Sequence, residues 1–327
     1  MKQYTLHALF LALTVALMFT VGCKDDEVTP PAVFSINVGE VTVAVGADGT
    51  ITLSGGTTPY SIKTGPDTSV ATATLSGSTL SAHAVASGFT TLTVGDGAGA
   101  EATVNINVSG AITSELFPLV LGHQYQYSGY AISTSSATLP DPSKIYKTLW
   151  TVGATVSGAT YLFDTTTFQH PSAGVITASR TLVLIKNTAT GDFMFAQTLG
   201  PFFRAFSIAR TDTVRFVSIA KPSLGIGGTW TAFDSTYVNG SSTNVRLEIF
   251  GEVLTGETIT DSTTAHTKHN AIRFRTWRRI TVGSTVAVDN ATTSRLWLVK
   301  NIGPVIVHIA QDTENLGHFR VLQSKNF

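Results

Sequence analysis

From Phe34 onward the chain alternates between apolar and polar residues. Ile36 and Val38, then Val41, Val43 and Val45, run up to the turn cluster Gly46-Ala47-Asp48-Gly49, after which Ile51 and Leu53 resume the pattern. A period of two places successive side chains on opposite faces of an extended strand, so each segment buries one face and wets the other. The alternation returns over 70–75, 80–85, 90–94 and 102–108, with a turn signal at roughly every tenth residue, as in a small β-sandwich. These strands predict a module over 33–109. Ser109-Gly110-Ala111 then reads as a hinge.

Beyond it, Tyr125 and Tyr127 share one strand face while Gln124 and Gln126 take the other. Further strands are predicted near 145–156, 159–166, 177–187, 192–198, 202–209, 213–220, 228–238, 245–254, 268–282, 292–300, 304–310 and 317–323. Their short polar connections predict a meander of antiparallel hairpins over 114–327 that closes into a barrel or wraps as a half-barrel. No window of about 11–18 residues after the N-terminal segment carries a helical period, so the expected fold class is all-β.

The N-terminal segment is different. Met1 to His7 carries Lys2, and Ala8 to Val21 is uncharged and apolar. That run is short beside the roughly 20 residues that a membrane-spanning helix needs, and it suits the h-region of a signal peptide. It ends at Gly22-Cys23, followed by Lys24-Asp25-Asp26-Glu27 and by Val28-Thr29-Pro30-Pro31, whose consecutive prolines favour an extended tether.

Thr20-Val21-Gly22-Cys23 resembles the lipobox of bacterial lipoproteins, with Gly22 and Cys23 at the pattern's small residue and its cysteine. The resemblance implies a signal peptide over 1–22, cleavage before Cys23, thioether lipidation of that thiol, and a lipidated tether over 23–32. Several acyl chains together give durable anchoring where one would be marginal. Lys24, Asp25, Asp26 and Glu27 resemble the acidic export tag of surface lipoproteins in Bacteroidetes, which implies the outer membrane and display on the cell surface. A solvated charged tether is the other reading of so short a run.

Two more resemblances concern the mature part. Gly55-Gly56-Thr57-Thr58-Pro59-Tyr60-Ser61-Ile62, with the segments 87–96 and 102–108, resembles bacterial immunoglobulin-like modules of cell-surface proteins. Leu116-Phe117-Pro118-Leu119 leading to Gly122-His123-Gln124-Tyr125, and the tail at 296–305, resemble the opening and the closing hairpin of secreted β-rich lipoproteins of unknown function. His123 and Tyr125 stand where that group has Asn and Trp. No activity is implied by either resemblance.

Composition narrows the chemistry. The chain has 21 basic and 21 acidic residues among 327, and only 13% of its residues are charged, so no basic field suggests nucleic acid as a partner. Cys23 is the single cysteine, which excludes an intramolecular disulfide and a thiolate zinc site. No Gly-x-Ser-x-Gly occurs, and Gly225-Ile226-Gly227-Gly228 precedes a strand rather than a helix, so neither a nucleophile elbow nor a phosphate-cradling loop is present. Asp48, Asp67 and Asp96 lie in separate turns and read as turn formers rather than as one calcium loop.

Four groupings remain. Arg273, Arg275, Trp277 and Arg279 fall on one face of a strand, opposite Arg246, Glu248 and Glu252. They form either a basic patch for an acidic glycan or carboxylate, or a cross-strand ion-pair ladder with Trp277 covering the arginine stems, and the ladder is favoured. Trp150, Trp230, Trp277 and Trp297, with Tyr125 and Tyr127, form either a sugar-stacking platform or core, and core is favoured. His266 and His269, near Asp261, read as loop residues rather than metal ligands. His308 and His318 could meet across a hairpin but lack a third ligand.

The expectation is therefore a monomeric lipoprotein of the cell envelope with a structural or ligand-binding role. No cofactor, metal or catalytic residue is expected, and the chain is read as not an enzyme. Three alternatives stand beside this. A glycan-binding accessory protein predicts a groove of exposed Trp and Tyr. A carrier of an apolar ligand predicts a hollow barrel. A hydrolase predicts converging carboxylates or a His–acid pair in a cleft.

Overall fold

The computed structural model describes residues 32–112, 115–132, 140–170, 174–188, 190–210, 213–260, 268–309 and 317–327. The elements below all lie in the unit Phe34–Phe327. The first eight strands are β1 (Ser35–Ile36), β2 (Glu40–Ala44), β3 (Asp48–Ser54), β4 (Ser61–Thr64), β5 (Ala71–Ser76), β6 (Thr79–Ala84), β7 (Gly88–Gly95) and β8 (Glu101–Ser109). They form two four-stranded sheets, in the orders β1-β3-β6-β5 and β2-β8-β7-β4, with β2 parallel to β8. The alternation read from the sequence supplies the core: Val43, Ile51, Leu53, Leu80, Leu92, Val94, Val104, Ile106 and Val108 from both sheets form one buried cluster.

Asp96 organises one turn of this sandwich. Its carboxylate accepts the backbone N–H groups of Thr57, Ala98 and Ala100 at 2.8, 3.0 and 2.8 Å. Those amides, Thr57 first, hold its pKa below the usual carboxylate range against the opposing effect of burial.

The larger part is built from β9 (Gln124–Ile132), β10 (Pro140–Val156), β11 (Ala159–His170), β12 (Gly174–Asn187), β13 (Phe193–Thr198), helix α1 (Gly200–Ala205) and β14 (Val214–Ala220). It continues with β15 (Thr229–Val238), β16 (Asn244–Thr260), β17 (Lys268–Val282), β18 (Thr285–Val299), β19 (Gly303–Ile309) and β20 (Gly317–Lys325). These twelve strands form a single antiparallel sheet in the order β14-β13-β12-β11-β10-β9-β20-β19-β18-β17-β16-β15. Two six-stranded meanders, β9–β14 and β15–β20, are thus joined through the β9–β20 ladder.

The sheet curls until its free edges, β14 and β15, approach one another. No ladder joins those edges in the strand order. Among the described residues, two other hydrogen bonds bridge the seam instead. The indole N–H of Trp230 on β15 donates to the Ser218 carbonyl of β14 at 3.0 Å, and the Gly240 amide donates to the Ser207 carbonyl at 2.9 Å. A Cβ at Gly251 would overlap the Trp230 ring, so glycine at that position lets the indole lie flat against β16. The hydrophobic pattern predicts an all-β meander closing as a barrel or half-barrel, and a nearly closed antiparallel barrel is what forms.

One predicted strand is corrected. The segment near 202–209 begins as the helix α1 and continues as a turn. Phe202, Phe203 and Phe206 lie at i, i+1 and i+4, a set that shares one side of a helical turn but would be split between two faces of a strand. Phe202 and Phe203 pack on Tyr237 with ring centroids 5.9 and 5.1 Å apart, in a buried cluster with Leu199, Val217, Leu247 and Ile280. The helix thereby fills the barrel beside the seam.

The sandwich and the barrel are fastened together, and the expected hinge is not free. The Ser87 hydroxyl donates to the Ala111 carbonyl. The Ile112 amide donates to the Pro222 carbonyl at 2.8 Å, and Gly225 lies so close to Gly110 that a Cβ there would overlap its carbonyl. At the bulge between Leu254 and Glu257 in β16, the Gly256 amide donates to Asn107 Oδ1 at 3.0 Å, and Phe89 of β7 enters the main barrel cluster.

Candidate functional site

The register of the barrel decides what faces inward. Tyr127 pairs with Thr148 and Tyr125 with Trp150 across β9–β10; Thr148 then pairs with Thr166, and Trp150 with Asp164, across β10–β11. Tyr125, Tyr127, Trp150 and Thr148 are all buried. Arg320 on β20, also buried, sends Nη1 to Asp164 Oδ2 at 3.1 Å. The same carboxylate accepts the Trp150 indole N–H at 2.9 Å and the Thr166 hydroxyl at 2.6 Å, while Thr166 and Thr148 share a hydrogen bond of 3.0 Å. These three donors offset the burial of the Asp164 carboxylate, whereas Arg320 Nε is buried without a hydrogen-bond partner among the described residues.

Tyr127 meets Trp150 edge-on at 4.9 Å and donates its hydroxyl to the Pro304 carbonyl at 2.8 Å. The Tyr125 hydroxyl donates to the Pro118 carbonyl at 2.9 Å. Burial raises both phenol pKa values well above the ordinary one, so neither tyrosine serves as a base near neutral pH. The described interior is thus filled by an apolar cluster and one polar knot, and the knot holds a single carboxylate.

The outer wall carries the arginine stripe. Arg273 reaches Glu257 at 3.2 Å, and Arg275 reaches Glu252 at 2.5 Å. Arg275 lies over the Trp277 ring at 4.9 Å, Trp277 lies 5.7 Å from Phe250, and Arg279 lies over Phe250 at 5.4 Å. Arg246 bridges Asp234 and Glu248 at 2.7 and 3.1 Å. The Arg246–Asp234 bond holds the Asp234 carboxyl below its ordinary pKa. Arg273, Arg275, Trp277 and Arg279 therefore sit together on one face, in alternating charge and aromatic contacts. Trp297, whose indole donates to Glu257 at 3.0 Å, joins them from β18.

Of the six aromatic residues weighed as a platform, Tyr125, Tyr127, Trp150, Trp230 and Trp297 are buried, and only Trp277 is part-exposed. His269 lies on β17, paired with Ile259, rather than in a loop, because β16 and β17 continue pairing past the bulge. With Ile259, Ile302, Ile306, Val321 and Lys325 it lines a pocket of about 130 Å³ at the barrel rim. His308 pairs with Phe319, and His318 with Ile309, so the two histidines point to opposite faces of the wall. Among the described residues no group of three or more His, Cys, Asp or Glu is placed to hold a metal. Cys23, Lys24, Asp25, Asp26, Glu27, Asp261 and His266 lie outside the described residues.

Register brings further residues to the outer wall that single strands did not place there. Arg295 on β18 stands opposite Arg275, and beyond it follow His308, Phe319 and Tyr130. The alternation Arg295-x-Trp297 was visible in the sequence, but its neighbours on other strands were not.

No family model matches the chain, and no curated protein does. Solved structures similar to it include two from Bacteroidetes. One, a candidate lipoprotein of Parabacteroides distasonis, is 12% identical, with a TM-score of 0.34 over 66% of this chain and 100% of the other. The second, a candidate exported protein with YmcC-like fold from Bacteroides fragilis, is 14% identical, with a TM-score of 0.35 over 65% of this chain and 100% of its own.

Proposed function

We propose that this chain is a lipid-anchored lipoprotein of the outer membrane, displayed on the cell surface, whose mature part does non-enzymatic binding or structural work. The observation that carries the reading is the order of residues at the start: an uncharged run from Ala8 to Val21, then Gly22 and the only cysteine, Cys23, then Lys24-Asp25-Asp26-Glu27. The outer wall of the barrel supports anchoring over spanning, because Glu252, Arg275 and Arg295 stand where a membrane barrel carries its apolar band. The sandwich is read as an immunoglobulin-like spacer module.

The filled interior bears on the alternatives. A carrier of an apolar ligand needs a hollow barrel, whereas the described interior is packed. A hydrolase needs a reactive carboxylate in a cleft, whereas Asp164 is fully engaged by Arg320, Trp150 and Thr166. These observations support binding at the outer surface over either alternative. Labelling with an alkyne fatty acid in a Gram-negative host tests the anchor. Lipid label on the wild type, its loss in Cys23→Ser and release of that variant from the membrane fraction are expected. Membrane-bound protein with an unmodified Cys23 thiol overturns the reading. Protease shaving of intact cells tests display, and a protected wild-type chain overturns that part.

A further inference from the structure

One row of side chains crosses the outer wall over six adjacent strands. Glu252, Arg275, Arg295, His308, Phe319 and Tyr130 are successive register partners on β16, β17, β18, β19, β20 and β9. Each alternates with an inward residue of its own strand, the buried Val253, Phe274, Leu296, Val307 and Arg320 among them, so the row faces outward. At about 4.8 Å between strands, the stretch from Arg275 to Tyr130 covers roughly 20 Å.

The charges in this row do not balance. Glu252 is engaged by Arg275 at 2.5 Å. Arg295 is exposed, lies directly opposite Arg275, and has no acidic partner among the described residues. Like charges facing each other across a ladder are unfavourable, and an anion bound between them reverses the sign. Beyond Arg295, burial and then the arginine itself lower the His308 pKa, leaving a neutral imidazole able to donate or accept one hydrogen bond. Phe319 and Tyr130 follow as a part-exposed stacked pair, their rings 5.4 Å apart and 17° from parallel.

We propose that this row binds a carboxylate-bearing polysaccharide. The Arg295 guanidinium takes the carboxylate in a planar fork, His308 meets a sugar hydroxyl, and Phe319 and Tyr130 stack under a neighbouring ring. The inference deepens the reading of the chain as a surface binding module and does not depend on the anchor at Cys23.

The test is affinity electrophoresis and calorimetry of the full chain in detergent, with polygalacturonate as probe, dextran as neutral control and dextran sulfate as diffuse-charge control. Binding to polygalacturonate but not dextran is expected. Arg295→Gln, with an unchanged melting temperature, should weaken it by about tenfold or more. Tyr130→Ala should weaken it as well. Arg180→Gln, at an exposed arginine on β12, should leave it intact. No polygalacturonate binding by the wild type, unchanged binding by Arg295→Gln, or an equal loss in Arg180→Gln overturns the proposal. Failed lipidation of Cys23 with binding intact would sink the anchor alone, and the reverse result would sink this site alone.

Discussion

Phe89 of the sandwich lies so close over Gly256 of the barrel that a Cβ built on that glycine would overlap the phenyl ring. The contact falls at the β16 bulge, where the Gly256 amide also donates to Asn107. Glycine is needed here for close approach rather than for turn geometry. Gly256→Ala should cost about 1–3 kcal/mol through overpacking, and Phe89→Ala about 3 kcal/mol through the lost side chain. The double variant should cost less than the sum of the two, because the smaller residue at 89 makes room for the methyl group. Urea denaturation of the three variants measures this, and strict additivity would mean that the two positions do not touch.

The Asp164–Arg320 pair makes a second prediction. Asp164→Asn leaves the Arg320 guanidinium buried without its counter-charge, and removing one partner of a buried pair costs about 3–5 kcal/mol. Replacing both, with Asp164→Asn and Arg320→Met, should recover a large part of that loss. Urea midpoints of the single and double variants check it. A double variant no more stable than Asp164→Asn would argue against the pair.

The seam gives a third. Trp230→Phe removes both the hydrogen bond to the Ser218 carbonyl and the part of the indole that lies over Gly251, at a cost of about 1–3 kcal/mol. Amide exchange should quicken along β14 and β15 and stay unchanged along the β9–β20 ladder. Uniform quickening would indicate global destabilisation instead.

The fourth concerns pH. Burial, then the charge of Arg320, then that of His308 hold the His318 pKa well below its ordinary value, and burial with Arg295 lowers that of His308. The unfolded chain takes up these protons at about pH 6.5 whereas the folded chain resists them, so stability is full above that pH and falls as pH drops toward the folded values. Melting temperatures at pH 7.5 and pH 5 should differ less in a His308→Gln, His318→Gln variant than in the wild type. An identical difference would show that other groups carry the pH dependence.

Much of this architecture was legible in the order of residues. Period-two alternation located the strands because each buries one face, and Tyr125 and Tyr127 announced an inward face that the structure fills with them. Local pattern failed at Phe202 and Phe203, where tertiary packing against Tyr237 selects a helix in a segment too short to display a period. It was also blind to pairings between distant strands. Arg320 and Asp164 are 156 residues apart, and nothing around either one names the other. For the same reason the stripe on β17 could be read from one strand, while the row that continues through Arg295, His308, Phe319 and Tyr130 required the register of four more.

The pairing of β9 with β20 also constrains how the barrel comes into being. Gln124 and Asn326, hydrogen-bonded beside that ladder, are 202 residues apart, so the contact that joins the two meanders is among the most distant in the chain. Distant pairings are slow to form because the intervening chain must be ordered or looped first. During synthesis the barrel therefore stays incomplete until β20 has emerged, because only then can its two meanders be joined.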